Sequence, residues 1–208
     1  MAFVRANTSI PVPRPHKTVV NTEGTVYIIM DYIDAQELSY EALTEDQQGV
    51  LMRRLGGYLD ELRRITPPPQ TRLGALDSSP LQDPRTGTFG PFETCFEFAD
   101  NYGYTFLAKV KDPLVTECLA RFMKREQNIV FSHGDLAPRN ILAKDGKIVA
   151  ILDWECAGWC PDYWEAVRGI RSNLDMPSFG DAFRELFCGR YDDEIALEYE
   201  LSKHIFRL

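Results

Sequence analysis

Ile129-Val130-Phe131-Ser132-His133-Gly134-Asp135-Leu136-Ala137-Pro138-Arg139-Asn140-Ile141-Leu142 is the stretch on which the reading of this chain turns. It runs as an apolar strand, a short polar loop and a second apolar strand. The runs Asn140 to Lys144 and Lys147 to Leu152 are joined through Lys144-Asp145-Gly146-Lys147. Asp-Gly between such runs is a strong two-residue turn signal. The spacing therefore predicts an antiparallel hairpin with Asp153 just past its second arm, eighteen residues after Asp135. In that arrangement Asn140 and Asp153 can face one cavity, and Asp135, Asn140 and Asp153 are expected to converge on it.

Phosphoryl transfer from a nucleotide needs such parts: a carboxylate to orient a hydroxyl nucleophile, and an amide with a second carboxylate to hold Mg²⁺ on the phosphates. Protein kinases space the first two as H-x-D-x-x-x-x-N and place the metal aspartate after a later strand. Here Gly134 replaces the arginine, and Trp154-Glu155 follows Asp153 in place of Phe-Gly. The string His133-Gly134-Asp135, Asn140, hairpin, Asp153-Trp154-Glu155 resembles the aminoglycoside phosphotransferase and choline kinase group, small-molecule kinases that share the protein-kinase fold. A lone D-x-x-x-x-N would carry little, since a solvated loop with incidental acids matches it too; the surrounding strands, turn and second aspartate carry the resemblance.

The resemblance implies ATP and Mg²⁺ as cofactors, Asp135 as the catalytic base, and Asn140 and Asp153 as metal ligands. Ile28-Ile29-Met30-Asp31-Tyr32-Ile33 resembles the hinge strand of the group, which implies adenine bonding by the backbone of Asp31 and Ile33; the plain alternative is an ordinary edge strand. His133 is expected to brace the loop by hydrogen bonding, and Gly134 to serve backbone geometry. Arg139 suits either a phosphate contact or an ion pair with a surface acid. Glu155 suits a second Mg²⁺, a substrate amine or a structural pair. Trp159, Tyr163 and Trp164 either stack on a small-molecule substrate, with cation–π contact to an ammonium, or anchor their segment on the core. Asp162 reads as a helix cap or a ligand.

Composition excludes several classes. The longest apolar runs fall short of the ~20 residues of a membrane helix, and no signal-peptide pattern opens the chain, so a cytoplasmic protein with no membrane partner is expected. A net charge of −8 argues against nonspecific nucleic-acid binding. It is weakly compatible with a cationic substrate. Five cysteines at irregular spacing do not make a secreted disulfide framework. Cys156 and Cys160 lack a second pair at zinc spacing.

Along the chain, residues 2–8 read as the tail of a helix and Ile10 to Pro15 as an extended proline-rich connector. His16–Asn21 and Thr25–Tyr32 form a hairpin about Thr22-Glu23-Gly24. Thr44-Glu45-Asp46 starts a helix that carries Leu51, Leu55, Tyr58, Leu59 and Leu62 at helical spacing to about Arg64, before three prolines. Residues 67–91 read as a long loop. Helices are expected over Phe92–Tyr102, Pro113–Lys124, from Pro161-Asp162 to Ser172, Ser178–Cys188 and Asp192–Phe206. The expected fold is α+β and kinase-like: a mostly helical C-lobe (34–208) with a catalytic β-hairpin, and a partial N-lobe sheet (1–33).

No G-x-G-x-x-G lies ahead of the hinge strand, and Lys17 stands too close to that strand to serve as the phosphate-binding lysine. The expectation is therefore a chain shortened at its N-terminus. Its leading function is ATP- and Mg-dependent phosphorylation of a small-molecule hydroxyl, weakened by the missing parts. The rival is a catalytically silent binding module of the same fold; a protein kinase is disfavoured by Gly134 and by the lack of D-F-G and A-P-E strings.

Overall fold

A capping box opens the longest helix: the Thr44 hydroxyl accepts from the Gln47 N–H while the Gln47 side chain accepts from the Thr44 N–H. Acidic residues fill the first turn and Arg63 and Arg64 the last, matching the helix dipole. In the computed structural model, which describes residues 1–83 and 87–205, this helix α2 (Glu45–Arg64) follows α1 (Ala2–Asn7), β1 (Pro15–Val20), β2 (Val26–Met30) and β3 (Gln36–Glu37). It buries Leu51, Leu55, Tyr58, Leu59 and Leu62, the expected stripe, together with Met52.

Then come β4 (Gly74–Ala75), β5 (Leu81–Asp83), β6 (Gly87–Phe89), α3 (Cys95–Tyr102), α4 (Pro113–Phe122) and β7 (Ile129–Ser132). The chain continues through β8 (Ile141–Lys144), β9 (Lys147–Ile151), β10 (Gly158–Pro161), α5 (Trp164–Arg171), α6 (Pro177–Glu185) and α7 (Asp192–Ile205). The mixture of helices and small sheets is the expected α+β class. Phe206 of the last expected helix, and residues 84–86 of the expected loop, lie outside the described residues.

The β8–β9 hairpin turns at Asp145 and Gly146, both with positive φ (50° and 71°), as a primed two-residue turn demands. Strand β3 adds to its other edge, giving the order β3-β8-β9. A second antiparallel sheet, β4-β10-β7, carries the strand that leads into the loop of Asp135. Strands β4, β5 and β6 fall inside the segment expected as plain loop. Pro161 closes β10 and does not start α5, because residues 158–161 pair with β7 and the helix begins only at Trp164. Trp164 is the hub of an aromatic core, with ring centroids 4.8 Å from both Phe98 and Tyr102.

The β1–β2 hairpin differs from the rest. Its strands pair with each other alone, and Val20, Val26, Tyr27, Ile28 and Ile29 are each half exposed or more. Among the described residues no helix is long and apolar enough to cross a membrane.

Candidate active site

The loop between β7 and β8 is buried from Ser132 through Pro138, so its polar groups must find partners inside the protein. One face of α5, with the residues just past its end, supplies most of them. Glu165 accepts from the N–H groups of His133 (2.6 Å) and Gly134 (3.3 Å). Arg168 Nε donates to the Gly134 carbonyl at 3.2 Å. Ser172 donates to Asp135 Oδ1 at 2.9 Å, and Asn173 Nδ2 to the Leu136 carbonyl at 3.1 Å. Spacings of three, four and one residue keep this polar row on one helical face. Arg168 is fixed from behind: its Nη1 lies 3.2 Å from Asp83 Oδ2, an ion pair with both side chains almost fully buried. Sequence reading missed this row, because its partners lie more than thirty residues upstream.

His133 braces the loop, as expected. Its Nδ1 accepts from the Asp135 N–H (3.3 Å), which leaves Nε2 as the donor to the Leu152 carbonyl (2.9 Å). One imidazole thus ties the loop of Asp135 to the residue before Asp153. Gly134 has φ +81°, and a Cβ there would lie 2.6 Å from the Cys156 carbonyl oxygen, so both conformation and space require glycine.

Asp135 and Asn140 are brought together directly. Asn140 Nδ2 donates to the Asp135 carbonyl (2.7 Å) and to its Oδ2 (3.2 Å). The Asn140 carbonyl accepts from Leu152 N–H at 2.8 Å, so Asp153 starts one residue from that bond. Asp153 holds φ 57°, a left-handed conformation that aspartate tolerates better than most residues. Its carboxylate is exposed and has no hydrogen bond or ion pair among the described residues.

Asp135 and Asp153 line different cavities, which departs from the expectation that Asp135, Asn140 and Asp153 converge on one. Asp153 and Glu155 line a cleft of about 530 Å³ between the Leu152–Glu155 segment and the β1–β2 hairpin, whose Pro15, Ile28 and Met30 form the facing wall. Asp135 lines a pocket of about 360 Å³ with Arg139, Arg168, Arg171, Ser172 and Asp175. Arg139 forms an ion pair, but with the buried Asp135 in place of the surface acid expected: Nη2 lies 2.9 and 2.8 Å from the two carboxylate oxygens. Burial works to raise the Asp135 pKa, but the bonds from Arg139 and Ser172 outweigh it and hold the carboxyl below its usual value.

The aromatic residues of the segment are core. Trp159 is 3% exposed, against Phe131 and Phe3. Tyr163 is 1% exposed and stacks on Tyr104. Neither ring presents a face to either cavity, so their burial agrees with the anchoring role and leaves no surface for stacking on a substrate. Asp162 is neither cap nor exposed ligand; it pairs with Arg125 at 2.6 Å. At the hinge candidate, Asp31 N–H donates to the Arg14 carbonyl and the Ile33 carbonyl accepts from Ala35 N–H. The Asp31 carbonyl and the Ile33 N–H have no backbone partner among the described residues. All five cysteines are free thiols.

The donor set suits a hard cation that carries its own phosphate and water ligands. Among the described residues no three His, Cys, Asp or Glu side chains cluster as a metal site. Asn140, with Nδ2 committed to Asp135, has one amide oxygen left, and Asp153 has an unclaimed carboxylate. One or two protein oxygens, completed by phosphates and water, is the usual pattern for Mg²⁺.

The profile of the phosphotransferase enzyme family matches residues 1–199. The aminoglycoside 3'-phosphotransferase of Enterococcus faecalis is 31% identical over 99 residues, a stretch covering 46% of this chain and 38% of that relative. The match thus spans well under half of the curated relative. Among solved structures, aminoglycoside phosphotransferase APH(2'')-Ib in its ADP-bound form superposes with a TM-score of 0.60 at 12% identity, covering 99% of this chain and 73% of that one. A thermostable mutant of APH(4)-Ia, in a ternary complex with AMP-PNP and hygromycin B, gives a TM-score of 0.52 at 17% identity and covers 97% of this chain and 79% of that one. At these identities the structures show a shared fold.

Proposed function

From the premise that this chain belongs to the phosphotransferase enzyme family, we propose that it transfers the terminal phosphoryl group of ATP to a hydroxyl of a small molecule, with Mg²⁺ as cofactor and in the cytoplasm. The observation that carries this reading is the fixed geometry of Asp135: a carboxylate bonded to Asn140, with His133 linking its loop to the backbone beside Asp153. Adenine would lie in the cleft beneath β2, its edge met by the Asp31 carbonyl and the Ile33 N–H. Asn140 and Asp153 would hold Mg²⁺, with Glu155 at the mouth of the same cleft; the ion supplies charge neutralisation of the phosphate oxygens. Asp135 orients the acceptor hydroxyl and takes its proton as the oxygen bonds to phosphorus and the bond to the ADP oxygen breaks. The rigid backing of α5 keeps Asp135 from rotating away, which is how positioning contributes to rate.

A silent binding module is the second reading, and one observation favours it: Arg139 occupies both oxygens of the proposed base. The deciding experiment is release of ADP from Mg-ATP by the purified chain across a panel of small alcohols, amino alcohols and sugars, with Asp135→Asn as control. Acceptor-dependent ADP release that the variant lacks supports the enzyme. Binding of Mg-ATP with no ADP release for any acceptor supports the silent module, and release equal in both proteins removes Asp135 from its role.

A further inference from the structure

Helix α5 presents two different faces. One carries the polar row that backs the Asp135 loop. The other carries Val167 and Ile170, and Leu174 continues it past the helix end at spacings of three and four residues. This second face meets α7, from which Ile195 and Tyr199 project one turn apart. Between the two helices lies a groove of about 60 Å³. Leu174 and Tyr199 flank it, each more than half exposed.

Apart from Arg171, the polar groups of the groove are already engaged. The Ser202 hydroxyl donates to the carbonyls of Glu198 and Tyr199 in its own helix. Glu198 is almost fully buried and accepts from the Tyr102 hydroxyl at 3.3 Å. The groove also adjoins the Asp135 pocket, because Arg171 and Leu174 line both.

Charge selects little in that pocket. Arg139 is paired with Asp135 and Arg168 with Asp83, which leaves one guanidinium, Arg171, and one carboxylate, Asp175. The apolar groove beside it is more selective. A molecule held by its hydroxyl at Asp135 and extending over Leu174 meets Val167, Ile170 and Ile195. A polar group placed among them would give up water without a partner. A hydrocarbon group gains from the same burial.

Resting on the phosphotransferase reading, we infer that the acceptor is amphipathic: its hydroxyl end sits at Asp135, and an apolar arm of a few carbon atoms lies over Leu174 in the α5–α7 groove. The small volume of the groove suits an alkyl arm better than a second sugar ring. The same arm gives the exposed Leu174 and Tyr199 side chains something to cover them.

The test uses the full chain with ¹³C-labelled Ile and Leu methyl groups and Asp carboxyls, saturated with Mg-AMP-PNP and titrated with propane-1,2-diol or hexane-1,2-diol. The probes share a head and differ by three carbons. Hexane-1,2-diol is expected to move the methyl signals of Ile170, Leu174 and Ile195 and the carboxyl signal of Asp135 with one midpoint. Its affinity should exceed that of propane-1,2-diol by roughly fourfold for each buried carbon, or about sixtyfold in all. Tyr199→Ser, a change at an exposed position, should shrink that ratio by about fivefold or more. Equal affinities, separate midpoints for the groove and the carboxyl, or methyl shifts confined to Ile28 and Ile29 of the β1–β2 hairpin overturn the proposal. ADP release from Mg-ATP then separates this inference from the reading beneath it. Release equally efficient with both diols keeps the phosphotransferase and removes the arm. If Mg-AMP-PNP does not bind, or the groove fills and neither diol releases ADP, the phosphotransferase reading falls, and the acceptor role with it.

Discussion

The carboxylate of Asp135 is held by the guanidinium of Arg139 four residues later, one nitrogen reaching both oxygens within 2.9 Å. The pair lies at the mouth of a pocket, with the acid buried and the arginine half exposed. It sets the protonation of the proposed base.

Removing the arginine should therefore move a titration. Arg139→Gln is expected to raise the Asp135 midpoint, read by carboxyl ¹³C NMR, because the charged donor that holds it down is gone while burial persists. Stability should change by about 1 kcal/mol or less, as for other partly exposed pairs. A depressed carboxyl stabilises the fold above its unfolded value near 3.9, and that contribution is lost as pH falls through the folded value. The parent should thus lose more stability than Asp135→Asn on going from neutral pH into that acid range. An unmoved midpoint in Arg139→Gln would refute the assignment.

Nucleotide binding should separate the two aspartates. Asp153→Asn is expected to weaken Mg-nucleotide binding, whereas Asp135→Asn should leave it nearly intact and abolish any turnover. Calorimetry reads the difference, and equal weakening by the two variants would contradict the division of roles.

Gly134→Ala should be among the most damaging single-methyl changes. The left-handed backbone costs about 1–2 kcal/mol once a Cβ is present, and the Cβ would press on the Cys156 carbonyl. Chemical denaturation is expected to show a loss of about 2 kcal/mol or more. A loss within 0.5 kcal/mol, the range of ordinary surface substitutions, would mean that the loop relaxes freely.

Thiol chemistry offers a check on burial. Cys188 is exposed, while Cys118, Cys156 and Cys160 are buried. Burial pushes the Cys95 thiol up to about 11 and the Cys156 thiol up to about 12. At pH 8 in native buffer, a disulfide reagent should therefore find one fast cysteine, Cys188, and the rest only on unfolding. Rapid labelling of Cys156 would show the site looser than described.

What could be read from the chain depended on how local the cause was. The capped start of α2, its buried stripe and the Asp145-Gly146 turn all rest on residues within one or two turns of each other, and all were legible. Strands of two to four residues made by distant pairing were not. Gly74–Ala75 becomes a strand because it meets the Gly158–Trp159 edge of β10, more than eighty residues later, and nothing in either segment marks that pairing. The same distance hid Asp83, whose partner Arg168 comes from α5. Asp135, Asn140 and Asp153 were found from their motif, but the polar row of Glu165, Arg168, Ser172 and Asn173 carries no motif. Only the Glu165–Arg168–Ser172 spacing hinted at a shared face. Trp159 and Tyr163 show the limit of composition: aromatic residues near a site suit a ligand or a core equally well, and burial chose the core.

The bare β1–β2 hairpin has a colloidal consequence. Two apolar strands with open edges are adhesive toward one another and toward other ribbons. Against this stands the molecule's net charge of −8, whose repulsion reaches about 10 Å at 0.1 M salt and about 3 Å at 1 M. Salt shortens the reach of the repulsion and leaves the adhesion in place. Copies of this chain should stay dispersed in dilute buffer and cling to one another as ionic strength rises, so that the salt used to keep many proteins apart in storage would gather this one.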